Sequence, residues 1–209
     1  MGKLYYKYGA MGCSKTANAL ICKFYYEERG FKVLLIKTDI DKRNLQDGEI
    51  IVKSRIGLTS KCVTFGQNTD LLKFFKQQRE MGDYNIIIVD ECQFLTKQQV
   101  DQLKEISFDF NVICYGLLTN FKTELFEGSK RLIELADSLQ EIKSVCSCGR
   151  KANVNVRFVN GKLETEGDDV AIECAQVTYE PMCYGCYLNT KRLQEADYCC
   201  NLSKAKRDI

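Results

Sequence analysis

The sequence of 209 residues contains no histidine and no tryptophan. Without histidine there is no His general base, no Ser-His-Asp triad and no His-ligated metal site. No apolar run approaches the roughly 18 residues that a membrane-spanning helix needs. The opening residues MGKLYYKYGA lack the apolar core and cleavage site of a secretory signal. We therefore expect a cytoplasmic protein with no membrane partner.

Charge of the two signs is nearly balanced, with 30 Lys and Arg against 28 Asp and Glu and a net charge of +2. Such a chain has no strong basic field to attract nucleic acid, and we expect no nucleic-acid partner. With 45% hydrophobic and 28% charged residues, the composition is that of a folded globular protein. It excludes the disordered, collagen-like and coiled-coil classes.

Strand and helix patterns alternate through the first two thirds of the chain. Apolar or Tyr-rich runs predict strands at 3–8, 33–36, 84–89 and 112–116. Apolar residues at helical spacing predict helices over 16–29, 71–79, 97–108 and 129–136. This alternation indicates βαβ units, and therefore an α/β fold with a mostly parallel sheet flanked by helices.

The first chemical motif lies between the first predicted strand and the helix that follows it. Residues 9–16 read GAMGCSKT, which fits the phosphate-binding pattern G-x-x-x-x-G-K-[ST] at every fixed position but one. Backbone N–H groups of such a turn cradle phosphate. Lys15 would reach the β- and γ-phosphates, and the Thr16 hydroxyl would bind Mg²⁺. The alternative is an ordinary strand-to-helix turn with a surface lysine.

We predict that this loop binds ATP through eight residues: Gly9, Ala10, Met11, Gly12, Cys13, Ser14, Lys15 and Thr16. Ser14 is the exception to the pattern, because it stands where the second glycine belongs. Its Cβ and hydroxyl enter the place where backbone and phosphate approach most closely. We expect the serine to be tolerated if it has helical φ and ψ angles, and to weaken phosphate handling without abolishing it.

A second motif, IIIVDE at 86–91, joins an apolar strand to two adjacent acids. A carboxylate at the carboxyl end of a parallel strand lies in the crevice where such sheets bind ligands. We predict that Asp90 holds Mg²⁺ and that Glu91 is the general base, since no histidine is available for that task. Cys92 and Gln93 complete the predicted nucleotide site. The alternative is a pair of acids that ends a strand in solvent.

Two close cysteine pairs, Cys146-x-Cys148 and Cys183-x-x-Cys186, are separated by the 34 residues from 149 to 182. Such pairs on two β turns are typical of a structural four-cysteine zinc site, which leaves no open coordination position. In a compartment that keeps thiols reduced, a metal site is favoured over disulfides or free thiols. We therefore predict Zn²⁺ bound by these four cysteines.

The pattern changes near residue 142, where short β runs around the cysteines replace the alternation of strands and helices. Residues 154–159 alternate and lead into Asn160-Gly161, a strong hairpin signal. We predict three parts: a P-loop nucleotide-binding domain over 1–142, a small zinc-ribbon-like β domain over 143–190 and a flexible, weakly patterned tail over 191–209.

Taken together, these motifs resemble the type II thymidine kinase family, the P-loop kinases with a zinc-stabilised lasso. The resemblance rests on segments spread over about residues 3 to 187: YGAMGCSKT (8–16), SRIGL (54–58), VDECQFLTKQQVDQL (89–103), VICYGLLTNFKTELFEGSKRL (112–132), EIKSVCSCGRKA (141–152) and YEPMCYGCY (179–187). It implies transfer of the γ-phosphoryl group of ATP to the 5′-hydroxyl of thymidine or deoxyuridine, a salvage step for DNA synthesis, by a homotetramer.

The resemblance also implies roles for individual residues. Asp90 would act through Mg²⁺, Glu91 would accept the 5′-hydroxyl proton, and Met11 would pack near the base. The nucleoside would be contacted by an aromatic residue, by a lasso segment whose backbone reads the base edge, and by a tyrosine: Phe121, then Val170, Ala171, Ile172, Glu173 and Cys174, and Tyr179.

The sequence departs from the family pattern around the phosphate and base sites. The departures are Ser14 for Gly, Leu118 and Asn120 where bacterial relatives usually have Arg and Asp, Glu173-Cys174 for a Gly-Gly pair, and Tyr184-Gly185 for a basic pair. They bear on catalytic rate and substrate identity rather than on fold.

The leading interpretation is a nucleoside kinase of this family, and two alternatives stay open. One is a degenerate P-loop protein of the same fold that binds nucleotide with weak or no kinase activity. Retention of Lys15, Thr16, Asp90 and Glu91 argues against it. The other is a zinc-ribbon nucleic-acid-binding module attached to an NTPase domain, against which the lack of a basic stripe around the cysteines argues.

Overall fold

The computed structural model describes residues 2–40, 45–46, 49–167 and 176–205 of the chain. The chain divides into two compact units. The first consists of Met1–Gly9, Ser14–Leu118 and Leu125–Ile142, and the second of Ala10–Cys13, Thr119–Glu124 and Lys143–Ile209. Two short internal segments thus belong with the C-terminal part, and no pattern in the sequence indicates this grouping.

The first unit alternates strands and helices. Its elements are, in chain order, β1 (Leu4–Tyr8), α1 (Lys15–Glu28), β2 (Val33–Thr38), β3 (Leu45–Gln46), β4 (Glu49–Lys53), β5 (Thr59–Lys61), β6 (Val63–Phe65), α2 (Leu71–Met81), β7 (Ile86–Asp90), a short 3₁₀ helix (Cys92–Phe94), α3 (Lys97–Ile106), β8 (Asn111–Gly116), α4 (Glu127–Leu135) and β9 (Ser138–Glu141).

A six-stranded sheet forms the centre of this unit. Its strand order is β6-β2-β7-β8-β1-β9, and every neighbouring pair is parallel. The predicted α/β class and the four predicted strands are confirmed. The edge strands β6 and β9 escape prediction because β6 has only three residues and β9 reads SLQE, with little apolar pattern.

The core of the first unit occupies both faces of this sheet, because alternate residues of a buried strand point to opposite sides. Leu35 and Ile88 belong to the apolar cluster on the side of α1. Leu34 and Ile87 belong to the cluster on the other side, which also contains Leu103 of α3. Burial on both faces explains why these strands read as continuous apolar runs.

Side-chain caps fix where two of the helices begin. The Asp70 carboxylate accepts hydrogen bonds from the backbone N–H groups of Leu72 and Lys73 at the start of α2. Thr96 and Gln99 form a reciprocal capping box at the start of α3. Such caps satisfy N–H groups that have no partner within the helix.

The second unit is a small β structure followed by a helix. Its elements are β10 (Ser144–Val145), β11 (Lys151–Ala152), β12 (Val154–Val159), β13 (Lys162–Glu164), β14 (Val177–Met182) and α5 (Tyr184–Ala205). β12 lies between β13 and β14 in an antiparallel sheet. The predicted hairpin at Asn160-Gly161 is confirmed, since both residues have positive φ angles and join β12 to β13.

Helix α5 extends past residue 190 into the segment that the sequence analysis assigns to a flexible tail. The helix continues to Ala205, although its sequence has no marked apolar periodicity. The side chain of Gln194 pairs with the backbone of Leu163 in β13 through two hydrogen bonds of 2.7 and 2.9 Å. Tyr187 packs in the apolar cluster of β12 and β13. A polar anchor beyond residue 190 is therefore one reason why the helix extends past that residue.

None of the helices in the described part of the chain is both long and apolar enough to cross a membrane.

Candidate active site

The predicted phosphate loop connects β1 to α1. The Lys15 ammonium donates a hydrogen bond to the Gly9 carbonyl at 3.2 Å, so the lysine side chain folds back over the loop that precedes it. Within the loop, the Cys13 N–H donates to the Ala10 carbonyl at 3.4 Å, and Gly12 has a φ of +74°. A glycine is suited to that position, because a left-handed backbone conformation costs other residues roughly 1–2 kcal/mol.

Ser14 has a backbone conformation that differs from the expected one. Its φ and ψ angles are 62° and 30°, which is left-handed rather than right-handed helical, and its side chain makes no capping hydrogen bond. The helical angles under which we expected the serine to be tolerated are therefore not the angles that it adopts. The second glycine of the phosphate-loop pattern would adopt this conformation freely, whereas Ser14 is strained in it.

Asp90 and Thr16 meet at the carboxyl end of the sheet. Asp90 is the last residue of β7 and is buried, and the Thr16 hydroxyl donates a hydrogen bond to its Oδ2 atom at 3.1 Å. These are the two side chains predicted to hold Mg²⁺, and the fold of the first unit brings them together from positions 74 residues apart. A hydroxyl and a carboxylate side by side are a suitable donor set for a hard cation such as Mg²⁺.

The electrostatics of Asp90 suit a site that receives a cation. Burial and then repulsion from Glu91 raise the pKa of the Asp90 carboxyl from 3.8 to about 7, although the Thr16 hydroxyl and Lys15 act in the opposite direction. A buried carboxylate without a cation is costly, and a divalent ion bound there would offset that cost. Cation binding near neutral pH would therefore release a proton.

Glu91 is held by its neighbour Gln93. Glu91 has a φ of 53° and a ψ of 39°, a strained conformation for a non-glycine residue, directly after β7. The Gln93 amide donates to Glu91 Oε2 at 2.6 Å, and its oxygen accepts the N–H of Leu117 at 3.0 Å. Gln93 is buried while Glu91 is half-buried, so the amide fixes a carboxylate that solvent-borne ligands can reach. Cys92, between them, is buried.

Gly116 is a site residue that the sequence reasoning missed. It is the last residue of β8, and a Cβ added to it would lie 2.6 Å from Cys92 Sγ and 2.7 Å from Gln93 Oε1. Any larger residue would displace the amide that holds Glu91. The position of this glycine directly after a buried apolar run is the signal that points to such a close approach.

Phe121 lies in a loop of the second unit that Asn120 organises. The Asn120 Oδ1 atom accepts hydrogen bonds from the N–H groups of Lys122 at 2.9 Å and Glu124 at 3.0 Å. An aspartate would serve as an acceptor in the same way, so the change to Asn at this position leaves the loop intact. Phe121 itself is buried, and Thr123 has a φ of 68°.

Arg157 is a second residue that the sequence reasoning missed. Its guanidinium carbon lies 3.4 Å from the centre of the Phe121 ring, and its Nε lies 3.0 Å from Glu164 Oε2. Tyr179 is half-buried and faces Arg157 across the β12–β14 pairing. Of the predicted nucleoside contacts, Phe121 and Tyr179 are thus both next to Arg157. Val170, Ala171, Ile172, Glu173 and Cys174 lie outside the described residues.

The four predicted metal ligands come together in the second unit. The sulfur atoms of Cys146, Cys148, Cys183 and Cys186 all lie within 4.8 Å of one another, and those of Cys148 and Cys183 are 3.6 Å apart. Four thiolates around one zinc ion at roughly 2.3 Å would be about 3.8 Å apart. Gly149, with a φ of 84°, closes the first turn by donating its N–H to the Cys146 carbonyl at 2.8 Å.

The charges of this cluster fit a dication. Backbone N–H groups of Cys148 and Cys183 lower the pKa of the Cys146 thiol to about 6. Hydrogen bonds to the neighbouring sulfurs raise the pKa of Cys186 to about 12. A bound dication would compensate the negative charge that neighbouring thiolates bring together. The donor set and its spacing could hold zinc.

The parallel sheet, the phosphate loop and the acids at the end of β7 define a P-loop protein of the kind that acts on nucleoside phosphates. Comparison with known proteins is more specific. A family model described as thymidine kinase matches residues 2–187. The chain belongs to the thymidine kinase family.

Curated relatives agree with this assignment over most of their length. A thymidine kinase of Vibrio cholerae is 45% identical over 175 residues, which are 82% of this chain and 90% of the relative. A thymidine kinase of Zymomonas mobilis is 44% identical over 164 residues, 78% of this chain and 83% of the relative. One of Shewanella oneidensis is 41% identical over 186 residues, 88% of this chain and 95% of the relative.

Proposed function

We propose that the protein is an ATP-dependent thymidine kinase that phosphorylates the 5′-hydroxyl of thymidine or deoxyuridine in the salvage of pyrimidine deoxynucleotides. The observation that carries the proposal is the site in the first unit, where Thr16 pairs with Asp90 and Gln93 holds Glu91, in a chain of the thymidine kinase family. Phosphoryl transfer needs these parts: a loop for the phosphates, a metal carboxylate and a base for the attacking hydroxyl.

In this mechanism each residue has a defined task. The backbone of residues 9–16 and the Lys15 ammonium bind the triphosphate of ATP. Thr16 and Asp90 would hold Mg²⁺, which would neutralise negative charge on the phosphates. Glu91 accepts the proton of the 5′-hydroxyl, and Gln93 keeps its carboxylate oriented. Cys92 would contribute its backbone groups to the same nucleotide site.

The nucleoside is assigned to the second unit. We propose that Phe121 and Tyr179 pack against it, that residues 170–174 read the base edge, and that Met11 lies near the base. The domain over 1–142 would supply the phosphate chemistry, and the domain over 143–190 would carry the nucleoside contacts around a structural zinc. Cytoplasmic localisation is part of the proposal, because a reducing compartment keeps the zinc-binding thiols available.

The direct test is a steady-state assay of purified protein with MgATP and either thymidine or deoxyuridine, in which the nucleoside monophosphate is measured. We expect thymidine-dependent ADP formation, and we expect Lys15→Ala to lose it. Thymidine left unphosphorylated by protein that still binds ATP would instead favour the degenerate P-loop alternative. At present nothing favours that alternative, because the acids and the phosphate-loop lysine are all retained.

Ser14→Gly is expected to improve both stability and phosphate handling. Relief of the left-handed strain should exceed the extra chain entropy of glycine and raise the free energy of unfolding by about 0.5–1 kcal/mol. A better-shaped loop should raise kcat or lower the KM for ATP and leave the KM for thymidine nearly unchanged. Asn160→Gly is the matched control, because Asn160 also has a positive φ but lies in the β12–β13 hairpin. Identical kinetics in Ser14→Gly and the wild type would show that the loop tolerates serine.

We also propose a homotetramer, which the resemblance implies and an exposed apolar stripe supports. Ile21, Phe24 and Tyr25 follow one another at helical spacing on α1, and Phe24 and Tyr25 are 55% and 56% exposed. Phe31, just beyond the helix, is exposed as well. A cluster of this kind is typical of a surface that another protein chain covers.

Phe24→Glu is expected to break this association. A charge at the centre of an apolar interface costs more than the contact gains, so the variant should sediment as a smaller species than the wild-type assembly of 24.0 kDa chains. Phe108→Glu is the control, because Phe108 is equally exposed but lies just beyond the end of α3. A Phe24→Glu variant with the sedimentation coefficient of the wild type would remove α1 from the interface.

A further inference from the structure

Strand β12 has two faces of different character, and both are buried. Val154 and Val156 belong to an apolar cluster with Leu163 of β13. Asn155 and Arg157, on the opposite face, are only 3% and 2% exposed. The alternation of the sequence VNVRFV would usually place such polar residues in solvent. Two buried polar side chains on one strand face require partners, and both find them within the second unit.

Asn155 uses both ends of its amide. Its Oδ1 atom accepts the backbone N–H of Met11 at 2.7 Å, and its Nδ2 group donates to the Thr119 carbonyl at 2.7 Å. Because one partner is a donor and the other an acceptor, only one orientation of the amide satisfies both. The side chain thus joins the turn of the phosphate loop to the first residue of the 119–124 loop.

Pro181 is the second residue that supports the phosphate-loop turn. It is the register partner of Asn155 on the edge strand β14, and a Cβ built on Gly12 would lie 3.8 Å from its ring. The turn at Met11 and Gly12 therefore rests on one side-chain amide and one rigid ring. Proline is compatible with this position because an edge strand need not donate every N–H group.

We propose that Asn155 is a positioning residue for phosphoryl transfer. It fixes the backbone of the phosphate loop at Met11 relative to the loop that carries Phe121. The segment that would bind ATP and the segment that would bind the nucleoside are therefore positioned by the same side chain. The inference rests on the proposed function. Asn155 touches no reacting atom, and its effect comes through geometry: a misplacement of about 1 Å can cost on the order of 10² in rate.

The test compares Asn155→Ala with Asn153→Ala in full-length, zinc-loaded protein. Asn153 is the matched control, because it is an exposed asparagine two residues away. We expect Asn155→Ala to raise the KM for ATP about tenfold or more, with kcat also lowered, while zinc content and cooperative unfolding are retained. Asn153→Ala should keep wild-type constants. A merely structural role would reduce the active fraction, and with it kcat, but leave the KM of the folded molecules unchanged.

An independent readout does not depend on activity. In the wild-type protein, the Met11 amide should exchange slowly with deuterium because its N–H is bonded to Asn155, and Asn155→Ala should abolish that protection. Free exchange of the Met11 amide in the wild type would overturn the proposal, as would wild-type constants in Asn155→Ala. If the wild type fails to phosphorylate thymidine, the proposed function fails, and slow Met11 exchange still supports the anchor. If Asn155→Ala does not fold, the proposal is tested by deuterium exchange of the Met11 amide in the wild-type protein.

Discussion

Glu91→Gln should lower kcat by roughly 10²–10⁴, the usual contribution of a general acid–base group, while ATP still binds. The substitution keeps the size of the side chain and an oxygen for the Gln93 amide, but it removes the group that accepts the hydroxyl proton. No histidine exists to take over the task. Turnover is measured with saturating MgATP and thymidine, and ATP binding by calorimetry.

The control for this variant is Glu80→Gln, which removes the same charge from an exposed position on α2. It should have wild-type kcat. The KM for ATP in Glu91→Gln should change little, because the residues assigned to hold the triphosphate, Lys15 and the phosphate-loop backbone, are unchanged. A Glu91→Gln enzyme with the turnover of the wild type would remove Glu91 from the mechanism and leave the base unassigned.

Loss of one cysteine of the cluster is the second large expected effect. Cys183→Ser should abolish zinc binding and unfold the second unit, because in structural zinc sites the binding free energy is folding free energy. The wild type should contain about one zinc per chain when purified without chelator. Metal analysis and circular dichroism measure the two outcomes, and a strong chelator should reproduce the effect on the wild type.

Cys62→Ser separates this effect from a general sensitivity to cysteine loss. Cys62 lies in the first unit and donates its thiol to the Ile50 carbonyl at 3.6 Å, a bond that a serine hydroxyl can replace. This variant should keep its zinc and its fold. Wild-type protein without metal, or with disulfides among the four cysteines, would contradict the zinc proposal.

The sequence by itself predicted the features that depend on short stretches of chain. The apolar runs that became β2, β7 and β8 indicate buried parallel strands regardless of context, because each stretch must be covered on both faces. The phosphate loop and the cysteine pairs are recognised by residue type and spacing within a few positions. The α/β class and the family followed from these local signals, and both are confirmed.

Other features depend on contacts between distant residues and were decided by the tertiary structure. Ser14 has a left-handed backbone conformation because of the turn in which it lies. Its residue type does not predict that conformation. Beyond residue 190, α5 is held to its unit by Gln194, which hydrogen-bonds to the backbone of Leu163, 31 residues away. Helical periodicity is weak in this segment, so no local sequence pattern predicts the helix.

The role of Asn155 shows the difference most clearly. Alternation along β12 assigns Asn155 and Arg157 to the face opposite Val156, but it does not tell whether that face meets solvent or protein. The answer is a hydrogen bond to Met11, 144 residues away in the chain. Periodicity gives the direction of a side chain from the chain's own geometry, whereas the partner of a buried amide is fixed only when distant segments pack together.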